Sequence, residues 1–289
     1  TKLGSDIDGE AADDTSGVSV SLSSDGTIVA IGAHNNDGTG SLAGHVRVYK
    51  YDGSAWTKLG SDIDGEAASD YSGGVSLSSD GTIVAIGAAY NDGTASNAGH
   101  VRIYQYSGGS WTKLGSDIDG EAADDLSGFT VSLSSDGTIV AIGSRKNDGT
   151  GSDAGHVRVY KYNGSAWTKL GDDIDGEAED DLSSQSVSLS SDGTIVAIGA
   201  HYNDGTASNA GHVRIYQYNG SAWTKLGNDI DGEAGGDWSG WSVSLSSDGT
   251  TVAIGDFDND GTASGAGHVR VYNLVNQNAP VASNVSAAT

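Results

Sequence analysis

The chain contains no cysteine and no methionine, a single proline, two phenylalanines and few basic residues. Without cysteine, no disulfide stabilises the fold and no thiol nucleophile is available. A chain without methionine even at its first position reads as a processed or excised piece of something longer. Fourteen Lys and Arg stand against 39 Asp and Glu, a net charge of −25. That balance argues against nucleic acid and anionic membrane surfaces as partners, because both require positive charge. It suits solubility in high salt and the binding of divalent cations. No apolar run is long enough to cross a bilayer, so no membrane insertion is expected. No segment has helical periodicity, and no phosphate-cradling glycine loop precedes a helix.

What the chain has instead is glycine, 45 residues of it, and repetition. Thr-Lys-Leu-Gly recurs at Thr1, Thr57, Thr112, Thr168 and Thr224, at spacings of 56, 55, 56 and 56 residues. Within a unit, Val18, Val20 and Leu22 alternate with Ser19, Ser21 and Ser23, the period-two pattern of a strand with two unlike faces. Asp25-Gly26 follows, a strong hairpin signal because glycine accepts positive φ freely. Thr27–Ile31 is β-branched and apolar throughout, as expected of a strand covered on both faces. A third strand, Gly44–Tyr49, and a fourth, Ala55–Gly60, complete the unit around the turn Asp52-Gly53-Ser54. Four short antiparallel strands, repeated with turn signals between them, predict an all-β fold of propeller blades.

The first residues match a fourth strand, and the fifth unit stops after its third, Gly267–Tyr272. Five four-stranded blades closed by the N-terminal strand, residues 1–4, would leave no exposed edge. The alternative is part of a seven-bladed ring. The propeller is expected over residues 1–274. Residues 275–289, rich in Asn, Ala and Ser, read as a linker or tail towards a further module.

Trp56-Thr-Lys-Leu-Gly, Asp64-Gly-Glu-Ala, Ser-Gly, VSLSSDGTIVAIGA, NDGT and GHVRIY, in that order and five times over, resemble the FG-GAP repeats of integrin α-chain propellers and their relatives. SLSSDGTIVA is also similar to part of a WD-repeat blade. The FG-GAP resemblance implies an extracellular, secreted or cell-surface module for adhesion or ligand binding. Its calcium loop is not matched: Ser-Ser-Asp-Gly-Thr supplies a single aspartate per unit, Asp25, Asp80, Asp136, Asp192 and Asp248.

A different acidic motif is the candidate for Ca²⁺. Asp6, Asp8 and Glu10 recur as Asp62, Asp64 and Glu66; Asp117, Asp119 and Glu121; Asp173, Asp175 and Glu177; and Asp229, Asp231 and Glu233. Three carboxylates in five residues could ligate a hard cation, and the opposing reading is a solvated acidic loop. No cofactor is expected to be required. His45, His100, His156, His212 and His268 occupy one position per blade and are expected to hydrogen-bond a neighbouring turn. Arg47 and its four equivalents are expected to pair with a repeated aspartate, and Trp56 and its equivalents to pack.

The units differ at two places. One is the loop after strand two, with His34, Tyr90, Arg145, Lys146, His201, Tyr202 and Phe257. The other precedes or opens strand one, with Tyr71, Phe129, Trp238 and Trp241. Strands alternate in direction, so both loops emerge on one face. Trp238, Trp241, Phe257, Tyr90, Tyr202, His201, Arg145, Lys146, Tyr71 and Phe129 are therefore the expected ligand-binding residues. Nearly every other polar residue occurs five times, which argues against the asymmetric set that catalysis needs. The expected function is a non-catalytic adhesion or ligand-binding propeller for a glycan or protein. The alternative is a structural subunit of an extracellular filament or matrix, with self-association into a larger assembly.

Overall fold

Each repeat forms one antiparallel sheet in the computed structural model, which describes residues 1–274. The expected tail, residues 275–289, lies outside the described residues. Blade 1 consists of Ser19–Leu22, Ile28–Ala33, His45–Tyr51 and Trp56–Lys58, hydrogen-bonded in that order. Val20 faces Ile31, Ile31 faces Arg47, and Tyr49 faces Lys58. The hairpin turn is the predicted one. Gly26 takes a φ of 71°, and Asp25 Oδ1 accepts from the Thr27 amide and from the hydroxyls of Ser23 and Thr27. Beyond the fourth strand the chain returns to the third through a two-residue strand, Ile63–Asp64, which the sequence does not announce.

The second strand is the buried one, as its unbroken apolar run requires. The core lies between blades: Ile28, Ala30, Val46 and Val48 of blade 1 pack against Val75, Leu77, Val84 and Ile86 of blade 2. The same arrangement recurs at each later junction.

The alternating serines have a use that periodicity alone does not show. They do not simply face solvent. Ser19 and Ser21 Oγ accept the amides of Val75 and Leu77 in the next blade, at 3.1 and 2.9 Å. Ser76, Ser132 and Ser188 accept the amides of Leu133, Leu189 and Leu245 in turn. A second series joins the turns, running from Ser24 through Ser79, Ser135 and Ser191 to Ser247 by amide-to-carbonyl bonds. First strands of adjacent blades therefore lie side by side around the axis, each docked through polar atoms.

The chain is all-β, with five repeated antiparallel sheets of propeller type. The expected closure by the N-terminal strand is corrected. The fifth sheet has three strands, Ser239–Leu245, Thr251–Asp256 and His268–Asn273, and residues 1–4 do not pair with it. Leu3 instead accepts a hydrogen bond at 3.0 Å from Trp56 Nε1 of blade 1. The physical reason is geometric: Leu3 is held to blade 1 as Leu59 is to Trp111 of blade 2, and blade 5 lies elsewhere on the arc.

Candidate functional site

The two variable loops of each blade are held together by a pair of constant residues. In blade 2, buried Asp70 Oδ2 accepts from the Asn91 side-chain amide at 3.0 Å and from the Ala67 amide at 3.0 Å. Asn91 Oδ1 in turn accepts from the Gly93 amide. Asp14–Asn36, Asp125–Asn147, Asp181–Asn203 and Asp237–Asn259 repeat the bond. Each aspartate immediately precedes a variable position, and each asparagine closes the other variable loop. The sequence reading passed over these ten residues. Their signal was constancy: Asp before the variable residue and Asn-Asp after the other loop, in every unit.

The variable residue after the aspartate has a strained backbone. Thr15, Tyr71, Leu126, Leu182 and Trp238 have φ between 47° and 56°, the left-handed region that bulky side chains rarely occupy. The amides of Tyr71 and Trp238 are fixed by the carbonyls of Leu42 and Asn209 in the preceding blade. Backbone strain of this kind persists only where surrounding structure enforces it.

These loops bring the expected ligand residues into two groups. In the first, Tyr71 and Tyr90 lie 5.1 Å apart by ring centroid and His34 lies 6.0 Å from Tyr71. They line a cavity of about 610 Å³ together with Phe129 and the innermost glycines Gly73, Gly74, Gly87 and Gly128. Arg145 stacks on Phe129, its Cζ 3.8 Å from the ring centroid, and donates to Gln185 Oε1 at 3.4 Å. In the second group, Trp238, Trp241 and Phe257 are mutually stacked at 4.9–5.9 Å. His201 and Tyr202 meet them edge-on. Lys146 pairs with Asp153 at 3.6 Å.

Burial governs the ionisation of this region. Desolvation keeps His34 below its ordinary pKa and lowers the guanidinium pKa of Arg145. Desolvation, aided by Arg145, depresses His201 to about 4. His156 and His212, buried between blades, fall to about 4 through desolvation and then the adjacent Arg158 and Arg214. Folding therefore favours the neutral imidazoles. Stability is complete above the unfolded pKa of 6.5 and is lost as pH falls from there towards about 4. Between pH 7 and pH 5 the wild-type chain is expected to lose roughly 2 kcal/mol more unfolding free energy than His201→Phe, which has one fewer titrating group. Urea unfolding at the two pH values measures the difference. Parallel losses would refute the assignment to His201.

The carboxylates of the expected calcium triplets have cationic or strand partners of their own. Asp62 bonds Lys58 at 2.9 Å, and Glu66 pairs with Arg102 at 3.4 Å. Asp64 is held in its short strand, its carbonyl accepting from Arg102. The Asp64 carboxylate lies 4.0 Å from His45 Nδ1. Asp6 is paired with Lys2, and Asp117, Asp173 and Asp229 with Lys113, Lys169 and Lys225. Glu10, Glu121 and Glu177 reach Arg47, Arg158 and Arg214. The backbone carbonyls of Asp8, Asp119 and Asp175 accept from the same arginines.

A different grouping forms across blades. Glu10, His45 and Asp62 place ligand-type atoms within 4.8 Å of one another, and three further sets repeat this at His100, His156 and His212. These clusters could hold a cation. A nitrogen donor with two carboxylates suits a borderline transition metal better than Ca²⁺, which favours oxygen. Asp229 belongs to the His212 cluster, whereas Asp231 and Glu233 stay outside all four.

The remaining repeat residues differ from expectation in detail. The arginines pair with glutamates and aspartate carbonyls, not with aspartate carboxylates, except Arg270, which binds Asp256. His45, His100, His156 and His212 are buried with Nε2 unpartnered and do not bond a turn. The tryptophans do pack: Trp111 joins the core and donates from Nε1 to Leu59.

No family model and no curated protein sequence matches this chain. Solved structures do. TolB from Acinetobacter baumannii is similar with a TM-score of 0.51 at 15% identity, over 89% of this chain and 51% of that one. A periplasmic gluconolactonase of Pseudomonas aeruginosa, PpgL, is similar with a TM-score of 0.55 at 16% identity, over 81% of this chain and 63% of that one. This chain thus spans about half to two-thirds of their lengths, and the likeness is one of fold. It corrects two expectations. Neither similar protein is described as an adhesin or filament subunit, and one is an enzyme, so the frame implies neither adhesion nor the absence of catalysis. Fivefold repetition describes the framework alone: the loop positions it carries differ from blade to blade, as at His34, Tyr90, Arg145 and His201. Among the described residues, no helix is long and apolar enough to cross a membrane.

Proposed function

We propose that this propeller binds a small, flat, anionic molecule in the cavity lined by His34, Tyr71, Tyr90 and Phe129. One observation carries the reading. In a chain of net charge −25, Arg145 is the one arginine among the described residues with no carboxylate within 4.0 Å. Every other arginine has its acid. The Arg145 guanidinium is desolvated, stacks on Phe129 of the cavity lining and lies beside Tyr90, and its charge has no carboxylate partner, which supports an anionic ligand against that wall. The tyrosine and phenylalanine rings supply flat apolar surface for the body of the ligand. His34, kept neutral by burial, is a proton acceptor in the same wall, so the reading extends to a ligand that is chemically turned over. The FG-GAP resemblance is proposed as kinship of the repeat alone, and the compartment as one outside the cytoplasm, in keeping with a periplasmic neighbour of the same fold.

The test uses 1-naphthoate as probe, by calorimetry. A saturable site with a dissociation constant on the order of 0.1–1 mM is expected for a ligand of this size. Arg145→Gln should weaken it by about tenfold or more, the value of a charge-assisted hydrogen bond, without lowering the melting temperature. Naphthoate that fails to bind, or binds the variant equally well, refutes the proposal.

A further inference from the structure

The two ends of the arc are unfinished in the same way that its interior is finished. On the outer face of blade 5, Val269 and Val271 are 68% and 65% exposed, whereas their equivalents in blade 4, Val213 and Ile215, are 0% and 1% exposed. On the outer face of blade 1, Val20 and Leu22 are exposed, whereas Val75 and Leu77 in blade 2 are buried. The interior shows what covers each face. A face of the Val213–Ile215 type always packs against a face of the Val75–Leu77 type.

Polar groups repeat the pattern. Ser188 accepts the amide of Leu245 in the following blade, and Ser244 has no such partner among the described residues. The turn series that begins at Ser24 stops at Ser247. Gly81, Gly137, Gly193 and Gly249 each lie against an isoleucine of the preceding blade, while nothing lies against Gly26. Leu3, bonded by Trp56, occupies the place that Leu59 occupies for Trp111, the end of a preceding blade's fourth strand.

Repeat arrays that end in solvent replace apolar residues on their terminal faces by polar ones. Here the valines and leucine are retained at both ends, and contiguous exposed apolar surface marks an interaction site. We infer that further blades of this same repeat cover both faces, so that the complete ring has more than five blades. The occupant must present a Val75-type face to blade 5 and a Val213-type face to blade 1, and a blade of this repeat presents both.

The experiment extends the chain. A copy of residues 217–272 inserted after Tyr272 adds one repeat, and a copy of residues 161–272 adds two. Melting temperature and the fluorescence of an apolar-surface dye are compared with those of the original chain. One extension is expected to raise the melting temperature sharply and to abolish dye binding. If neither differs from the original, the inference fails. It also fails if the original chain forms a dimer by sedimentation and loses dye binding as it does so, because a second copy would then be the cover. Val269→Thr with Val271→Thr gives an independent reading. The pair should leave the original chain's melting temperature unchanged and lower that of the completed ring; equal effects in both would overturn the inference.

Discussion

Gly87→Ala is expected to destabilise the chain by about 3 kcal/mol or more, at the upper end of what overpacking costs. Gly87 lies in the second strand of blade 2, where a Cβ would stand 2.0 Å from the Gly128 carbonyl oxygen and 2.9 Å from its carbon in blade 3. Both are backbone atoms on an adjacent sheet, so no rotamer change relieves the clash and the blades must separate. Gly255 is the control. It occupies the same place in blade 5, and its Cβ would meet closely only the Ser242 hydroxyl, a side chain that can turn away. Gly255→Ala should therefore cost about 1 kcal/mol. Urea titration of both variants decides the matter. Equal losses would mean that local strand propensity, and not the junction between blades, sets the requirement for glycine.

Asp70→Ala should cost about 2–3 kcal/mol and impair the cavity as well. It removes a buried carboxylate that accepts from the Asn91 amide and the Ala67 backbone, leaving both donors without their acceptor in a site closed to water. Tyr71 follows Asp70 directly and holds a left-handed backbone, so release of the loop should let Tyr71 relax out of the cavity wall. Naphthoate affinity should fall together with stability. A variant that is less stable yet binds naphthoate normally would show that the aspartate–asparagine bond supports the fold without shaping the site.

Much of the blade was legible because its signals are local. Val18–Leu22, Asp25-Gly26 and Thr27–Ile31 specify a hairpin and a buried strand through periodicity and turn chemistry, which need no knowledge of the rest of the chain. Strand direction placed the variable loops on one face, and the contacts of Tyr71 with Tyr90 and of Trp238 with Phe257 are a finer division that it did not supply. What was not legible depends on how one sheet meets the next. Glu10 reads as a companion of Asp6 and Asp8, and its pairing with Arg47, 37 residues on, is a tertiary contact that spacing does not show. Ser19 and Ser21 read only as one of two unlike strand faces, and the neighbouring strand makes them acceptors. Ring closure is the extreme case, since it is set by the sum of the angles between blades.

The serine bonds around the axis also bear on how the molecule comes apart. Each interior blade is tied to two neighbours and each end blade to one. Contacts join nearest neighbours along the arc, so the chain behaves as a one-dimensional cooperative array. In a chain of these five blades alone, opening begins where a unit has one neighbour, at blades 1 and 5, and moves inward. The amides of Leu133 and Leu189 are thus shielded by the most complete surroundings, whereas that of Leu245 reports the first step of unravelling.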